Sequence, residues 1–175
     1  LYILAALLAA SCKNSSVQNN KSEGDKPVIT VTIEPLRYFT EAIAGDNFNV
    51  ISMVPKGSSP ETYDPTPQQL VDLAKSKAYF RIGYIGFEQT WMDKLTDNAP
   101  HLQFFDTSRG IDLIYDSSHA HHHHDADEPH AHDSIQDDEH QHLLGVEPHV
   151  WSSAYNAQII AGNIVNALCA ICLLY

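Results

Sequence analysis

The chain has 175 residues, 43% of them hydrophobic, with a formal charge of −12 and a pI near 5.1. That length fits one globular α/β domain plus unstructured pieces. Without a basic stripe to exchange for phosphate counterions, the chain argues against nucleic acid as a partner, and its acids cluster beside histidines, where they favour cations.

The chain opens on "LYILAALLAASC", an apolar run of about ten residues, shorter than the roughly 20 that a bilayer span needs. Small residues Ala9, Ala10 and Ser11 precede Cys12. The pattern resembles the end of a bacterial lipoprotein signal, in which the cysteine is lipidated after cleavage. With no initiator Met and no basic n-region, residues 1–12 read as a signal remnant. Residues 13–26, "KNSSVQNNKSEGDK", are polar and read as a flexible tether. The predicted location is therefore the periplasmic side of the membrane, with the protein anchored through Cys12.

From Pro27 onward strands and helices alternate. "VITVTI" (28–33) is a β-branched run that predicts a buried strand. After Pro35, Leu36, Phe39, Thr40 and Ile43 recur at helical spacing, and Gly45 is a stop. "FNVISMV" (48–54) predicts a second strand. "TPQQLVDLAKSK" then predicts a helix with Thr66 as N-cap, Pro67 at the first helical position and Gln69 completing a capping box. Lys75 and Lys77 would suit the dipole of its last turn. "AYFRIG" predicts a third strand, "FEQTWMDKL" a helix with Phe87, Trp91 and Leu95 on one face, and "LQFFD" a fourth strand.

After residues 117–143, "SAYNAQIIAGNIVNALCAI" predicts a helix capped by Ser152 or Ser153, with Ile160, Ile164, Ala167, Leu168 and Ile171 as its stripe. Cys169 and Cys172 have C-x-x-C spacing, but no second pair exists to complete four ligands, and they read as thiols on an apolar helix end. The predicted fold is α/β, a mostly parallel sheet flanked by helices. Its polar loops "PKGSSPETYDPTP" and "GYIGFE" fall beyond the carboxyl ends of strands, where such sheets bind ligands.

The interruption itself holds the strongest chemical signal. Nine of the eleven histidines, His119, His121, His122, His123, His124, His130, His132, His140 and His142, lie within twenty-four residues, with seven carboxylates and no Lys or Arg. A tag is terminal and unbroken, whereas this segment is internal and broken by acids and Ala. It predicts a disordered insert within 117–143, whose imidazoles and carboxylates form weak, exchanging sites suited to collecting Zn²⁺.

"MVPKGSSPETYDPTPQQLVDLAKSKAYFRIGYIGFEQTWMDKL" and the later "VEPHVWSS" together resemble the metal-specific solute-binding proteins of bacterial ABC transporters, especially the zinc-uptake members. The resemblance covers Val28 to about Ala170, and its motifs agree in order and spacing. It implies the N-terminal lobe of a two-lobed protein, with an acidic, His-rich loop typical of zinc members just ahead of the second motif. It makes His149 a metal ligand, bound as neutral imidazole with its other nitrogen held by an acceptor. Where the family carries a ligand His, this sequence has Glu61. A carboxylate is a legitimate zinc ligand at about 2.0–2.2 Å, and oxygen donors also suit manganese.

The remaining ligands of the family come from a C-terminal lobe that does not follow here, so residues 27–175 are expected to hold half a site. The expected function is capture of Zn²⁺, the transported ligand, and its delivery to an ABC permease, with no reaction catalysed. A zinc hydrolase is disfavoured, since there is no H-E-x-x-H and no second ordered His to partner His149. Two alternatives are a periplasmic zinc buffer or chaperone acting only through the His-rich loop, and a manganese-binding protein of the same family.

Overall fold

A computed structural model describes residues 26–115 and 145–172. In chain order it contains β1 (Val28–Val31), α1 (Glu34–Ala44), a 3-10 turn (Gly45–Asn47), β2 (Asn49–Ser52), α2 (Pro67–Leu73), β3 (Ala78–Arg81), α3 (Gly86–Asn98), β4 (Gln103–Asp106), a second 3-10 turn (Val150–Ser152) and α4 (Ala154–Cys172). Cys12 and all nine histidines from His119 to His142 lie outside the described residues.

All four strands are parallel, in the order β2-β1-β3-β4. Val31 pairs with Phe80, and Phe80 with Phe105. Parallel strands buried on both faces need near-continuous apolar runs. Ile29 and Val31 of β1 and Tyr79 and Phe80 of β3 are accordingly fully buried at the centre of the sheet. β1 and β2 are shorter than their apolar runs, but pairing continues past β2, where the Met53 and Val54 amides donate to the Val31 and Thr32 carbonyls at 2.8 and 2.9 Å.

The chain winds from β1 to β2 in one direction and from β2 through β3 to β4 in the other. Right-handed crossovers then put α1 on one face and α2 and α3 on the opposite one. α4 packs against α1, burying the predicted stripe Ile160, Ile164, Ala167, Leu168 and Ile171. The winding reverses between β1 and β3, which opens a crevice outside their carboxyl ends.

Local signals explain most element ends. Pro35 sits in the first turn of α1, where a missing N–H costs nothing. Gly45 closes α1 at φ 55, a left-handed angle that favours glycine. Both halves of the Thr66–Gln69 capping box are present, and Gln69 Nε2 also donates to the Met53 carbonyl at 2.7 Å. Removing the Thr66 hydroxyl in Thr66→Ala is expected to cost about 1 kcal/mol of unfolding free energy in a denaturant titration. The dipole role expected of Lys75 and Lys77 does not hold: α2 ends at Leu73 and has no basic residue in its last turn. Lys75 instead bonds Asp72 at 2.8 Å, and that bond holds the Asp72 carboxyl below its usual range.

The ends of the His-rich interruption meet. Tyr115 and Val146 form an antiparallel bridge, and the Glu147 amide donates to the Ile114 carbonyl at 2.8 Å. Asn163 Nδ2 ties α4 to the preceding loop by donating to the carbonyls of Thr107 and Arg109, each at 2.8 Å.

Candidate metal centre

Ile33 and Pro35 after β1, Val54, Pro55 and Pro60 after β2, and Trp151 before α4 line one pocket beyond the carboxyl ends of the strands. Glu61 follows Pro60 and His149 precedes Trp151 by two residues. The two residues singled out from sequence are thus near neighbours in the chain of residues that line this pocket, one in the β2–α2 loop and one in the turn leading to α4.

Glu61 is exposed, and its Oε2 accepts the Gly86 amide at 2.9 Å. Beside it the Phe87 amide donates to the Pro60 carbonyl at 2.9 Å. The residue before α3, Ile85, has no capping side chain. Glu61 supplies that cap from twenty-five residues away, its charge facing the positive end of the helix. It is thus anchored rather than simply solvated. A carboxylate offers about four lone-pair positions, so one amide leaves capacity for a cation.

His149 opens the 3-10 turn, with its side chain 61% exposed. Glu147 Oε1 accepts its backbone amide at 3.1 Å and also contacts its ring Nδ1. With the proton on Nδ1 and directed at Glu147, the Nε2 lone pair is left for a cation. The Trp151 ring lies beside the imidazole, with centroids 5.2 Å apart. The sequence motif singled out His149 as a candidate. What it missed was that the acceptor holding the second nitrogen is Glu147, two residues earlier.

Sequence reasoning also missed a buried polar cluster at the crevice. Glu88 is 1% exposed. Its Oε1 accepts the Ile82 amide at 2.9 Å and the Thr32 hydroxyl, and its Oε2 accepts the Gly83 amide. Thr32 Oγ1 is in turn 2.8 Å from Tyr79 Oη. Burial pushes the Glu88 carboxyl up, against the opposing pull of these hydrogen bonds. Burial, and secondarily the charge of Glu88, pushes the Tyr79 phenol well up. Glu88 stands three residues before Trp91 and seven before Leu95, a helical spacing that puts it on the inward face, and that was the available hint.

Among the described residues no group of three or more His, Cys, Asp or Glu is gathered to hold a metal. A closed zinc site needs four ligands, more than Glu61 and His149 together could supply. Cys169 and Cys172 are free and exposed on the last turns of α4, away from this pocket's lining.

A family model described as "ZnuA: Zinc-uptake complex component A periplasmic" matches residues 29–172. The high-affinity zinc uptake system protein ZnuA of Bacillus subtilis (strain 168) is 30% identical over 169 residues, covering 94% of this chain and 49% of that protein. The iron ABC transporter substrate-binding lipoprotein MtsA of Streptococcus pyogenes serotype M1 is also 30% identical, covering 95% of this chain and 48% of that protein. The manganese ABC transporter substrate-binding lipoprotein PsaA of Streptococcus pneumoniae is 29% identical, with 97% and 50% covered. A crystal structure of a zinc-bound ZnuA deletion mutant superposes with a TM-score of 0.66 at 31% identity, covering 84% of this chain and 47% of that one. The chain thus spans about half the length of the curated relatives it matches.

Proposed function

We propose, from the premise that this chain belongs to the ZnuA zinc-uptake family, that it captures a divalent transition-metal ion outside the cytoplasm for an ABC permease. The observation that supports this reading is the contact of His149 Nδ1 with Glu147, which leaves Nε2 to coordinate, two residues before the pocket-lining Trp151. Its transport relatives are substrate-binding proteins rather than enzymes, and the partial donor set suits an ion that is held and released.

Zinc is the metal we assign, because the matching family is a zinc-uptake family and the sequence carries nine histidines within residues 119–142. Imidazole nitrogen suits zinc, whereas the Glu61 carboxylate gives the site oxygen character that also suits manganese. Manganese is therefore the second reading, favoured by that one residue. The His119–His142 segment gathers zinc in rapid exchange ahead of the ordered site. Cys12 carries the lipid anchor that holds the protein at the membrane, a reading supported by lipoprotein relatives.

Calorimetry of the 175-residue chain, Glu61→His and His149→Ala with Zn²⁺ and Mn²⁺ tests the assignment. Glu61→His is expected to raise the preference for zinc over manganese by about tenfold, as nitrogen replaces oxygen. His149→Ala is expected to remove the tightest zinc-binding event and leave the weaker ones. An unchanged tightest event in His149→Ala would remove the site from this pocket and leave the His-rich segment as the only metal-binding element.

A further inference from the structure

We infer that Glu88 is a positioning residue for Glu61, holding the first turn of α3 where the Glu61 carboxylate docks. This inference rests on the reading of Glu61 as a metal donor. It begins from a buried group for which metal capture by Glu61 and His149 has no direct use.

A carboxylate at 1% exposure is costly unless it is fully hydrogen-bonded. Glu88 meets that condition with three donors: the amides of Ile82 and Gly83 and the hydroxyl of Thr32. All three sit just past the carboxyl ends of β1 and β3, where the winding reverses. The helix thus reaches back over its own N-terminus and grips the turn that feeds it. The other side of this turn is held too, since the Ser108 hydroxyl donates to the Ile82 carbonyl at 2.7 Å.

Three residues beyond Gly83, the Gly86 amide donates to Glu61 Oε2, and the Phe87 amide holds the Pro60 carbonyl. The line of contacts therefore runs from Thr32 just past β1, through Glu88, into the 82–86 turn, and out to Glu61 beside the pocket-lining Pro60. Metal ligands placed by such supporting bonds lose affinity when the support is removed, by about 10- to 100-fold in other sites.

Glu88→Gln tests the chain of contacts with little change in volume. A carboxamide has one acceptor oxygen, so in either orientation its NH₂ faces a turn amide, Gly83 N–H or Ile82 N–H, and one of these bonds is lost. Two readouts apply to the 175-residue chain. One is amide hydrogen exchange by NMR at Gly83, Gly86 and Phe87, with Val31 in β1 as reference. The other is Zn²⁺ affinity by competition with a chromophoric chelator, in a cycle of wild type, Glu88→Gln, Glu61→Ala and the double variant. The His-rich segment is common to all four chains and cancels.

Glu88→Gln is expected to speed exchange at Gly86 by about tenfold while Val31 stays protected. It is also expected to lower the affinity of the folded protein by about tenfold, an effect that disappears in the Glu61→Ala background. Unchanged Gly86 exchange overturns the inference. So does a lower melting temperature with unchanged affinity in a protein where Glu61→Ala does lower affinity, because Glu88 would then be merely structural. If Glu61→Ala alone leaves affinity unchanged, the donor reading of Glu61 fails, and Gly86 exchange still decides whether Glu88 places that carboxylate. Should Glu88→Gln fail to fold, Thr32→Val removes only one donor, and the same two readouts decide in the same way.

Discussion

Glu147→Ala is expected to weaken zinc binding at the His149 site by about 10- to 100-fold, the range seen when an acceptor behind a metal-bound imidazole is removed. One carboxylate oxygen of Glu147 takes both the His149 backbone amide and ring Nδ1. Without it the proton is free to sit on either ring nitrogen, the ring turns about its side-chain bonds, and the imidazole loses a neighbouring negative charge that makes it a better donor. A loss of that size equals about 1.4–2.7 kcal/mol of binding free energy. Folding stability should hardly move, because the two side chains are 48% and 61% exposed and solvent-exposed pairs contribute little. Glu147→Gln keeps an acceptor without the charge and should fall between wild type and Glu147→Ala. Chelator competition on the four chains, with His149→Ala as the baseline, checks the order. Affinity equal to wild type in Glu147→Ala, with a clear loss in His149→Ala, would mean that the imidazole needs no such partner.

The strand and helix order was legible because each signal there is local. β-branched and aromatic runs marked the four strands, and Pro67 with the Thr66–Gln69 box marked the start of α2. Gly45 marked the end of α1. The rule that ligands gather past the carboxyl ends of parallel strands pointed to the 55–67 and 83–88 loops, which meet through the Gly86–Glu61 bond. One local signal misled, because a helix end is set to within only a residue or two by sequence. Lys75 lies close enough to α2 to suggest a dipole contact, yet the helix stops two residues before it and the side chain turns to Asp72.

The motif resemblance singled out Glu61 and His149 as candidates but not the residues that contact them. Glu147 was visible as part of "VEPHVW", while its contact with Nδ1 depends on the tight turn that folds it back. Glu88 meets Thr32 across fifty-six residues of sequence, and no periodicity reports a pairing of that range. The capping of α3 by Glu61 was hidden for the same reason. Ile85, the residue in the cap position, carries no polar atom on its side chain, and the acceptor arrives from another loop.

That long-range cap makes Gly86→Ala the most informative single change to the backbone. In an ordinary exposed helix turn, Gly→Ala stabilises by roughly 0.4–1 kcal/mol, through lower entropy of the unfolded chain. Here an added Cβ would lie 2.5 Å from Glu61 Oε2, 2.8 Å from the Glu61 carbonyl oxygen and 3.1 Å from its Cα. The side-chain oxygen can swing away, but the carbonyl and Cα belong to the loop backbone, which the Phe87–Pro60 bond draws in at the same point. Relief therefore requires the 53–66 loop to lift off α3, with loss of two hydrogen bonds worth about 1 kcal/mol each. Overpacking of this kind costs roughly 1–3 kcal/mol, which outweighs the entropic gain. Gly86→Ala is accordingly expected to lower stability in a denaturant titration and to weaken zinc binding, because Glu61 leaves its place. Adding Glu61→Ala should not restore stability, since two of the three close atoms are backbone. A stabilised Gly86→Ala protein would place the loop away from α3 and break the link between the helix start and the proposed metal donor.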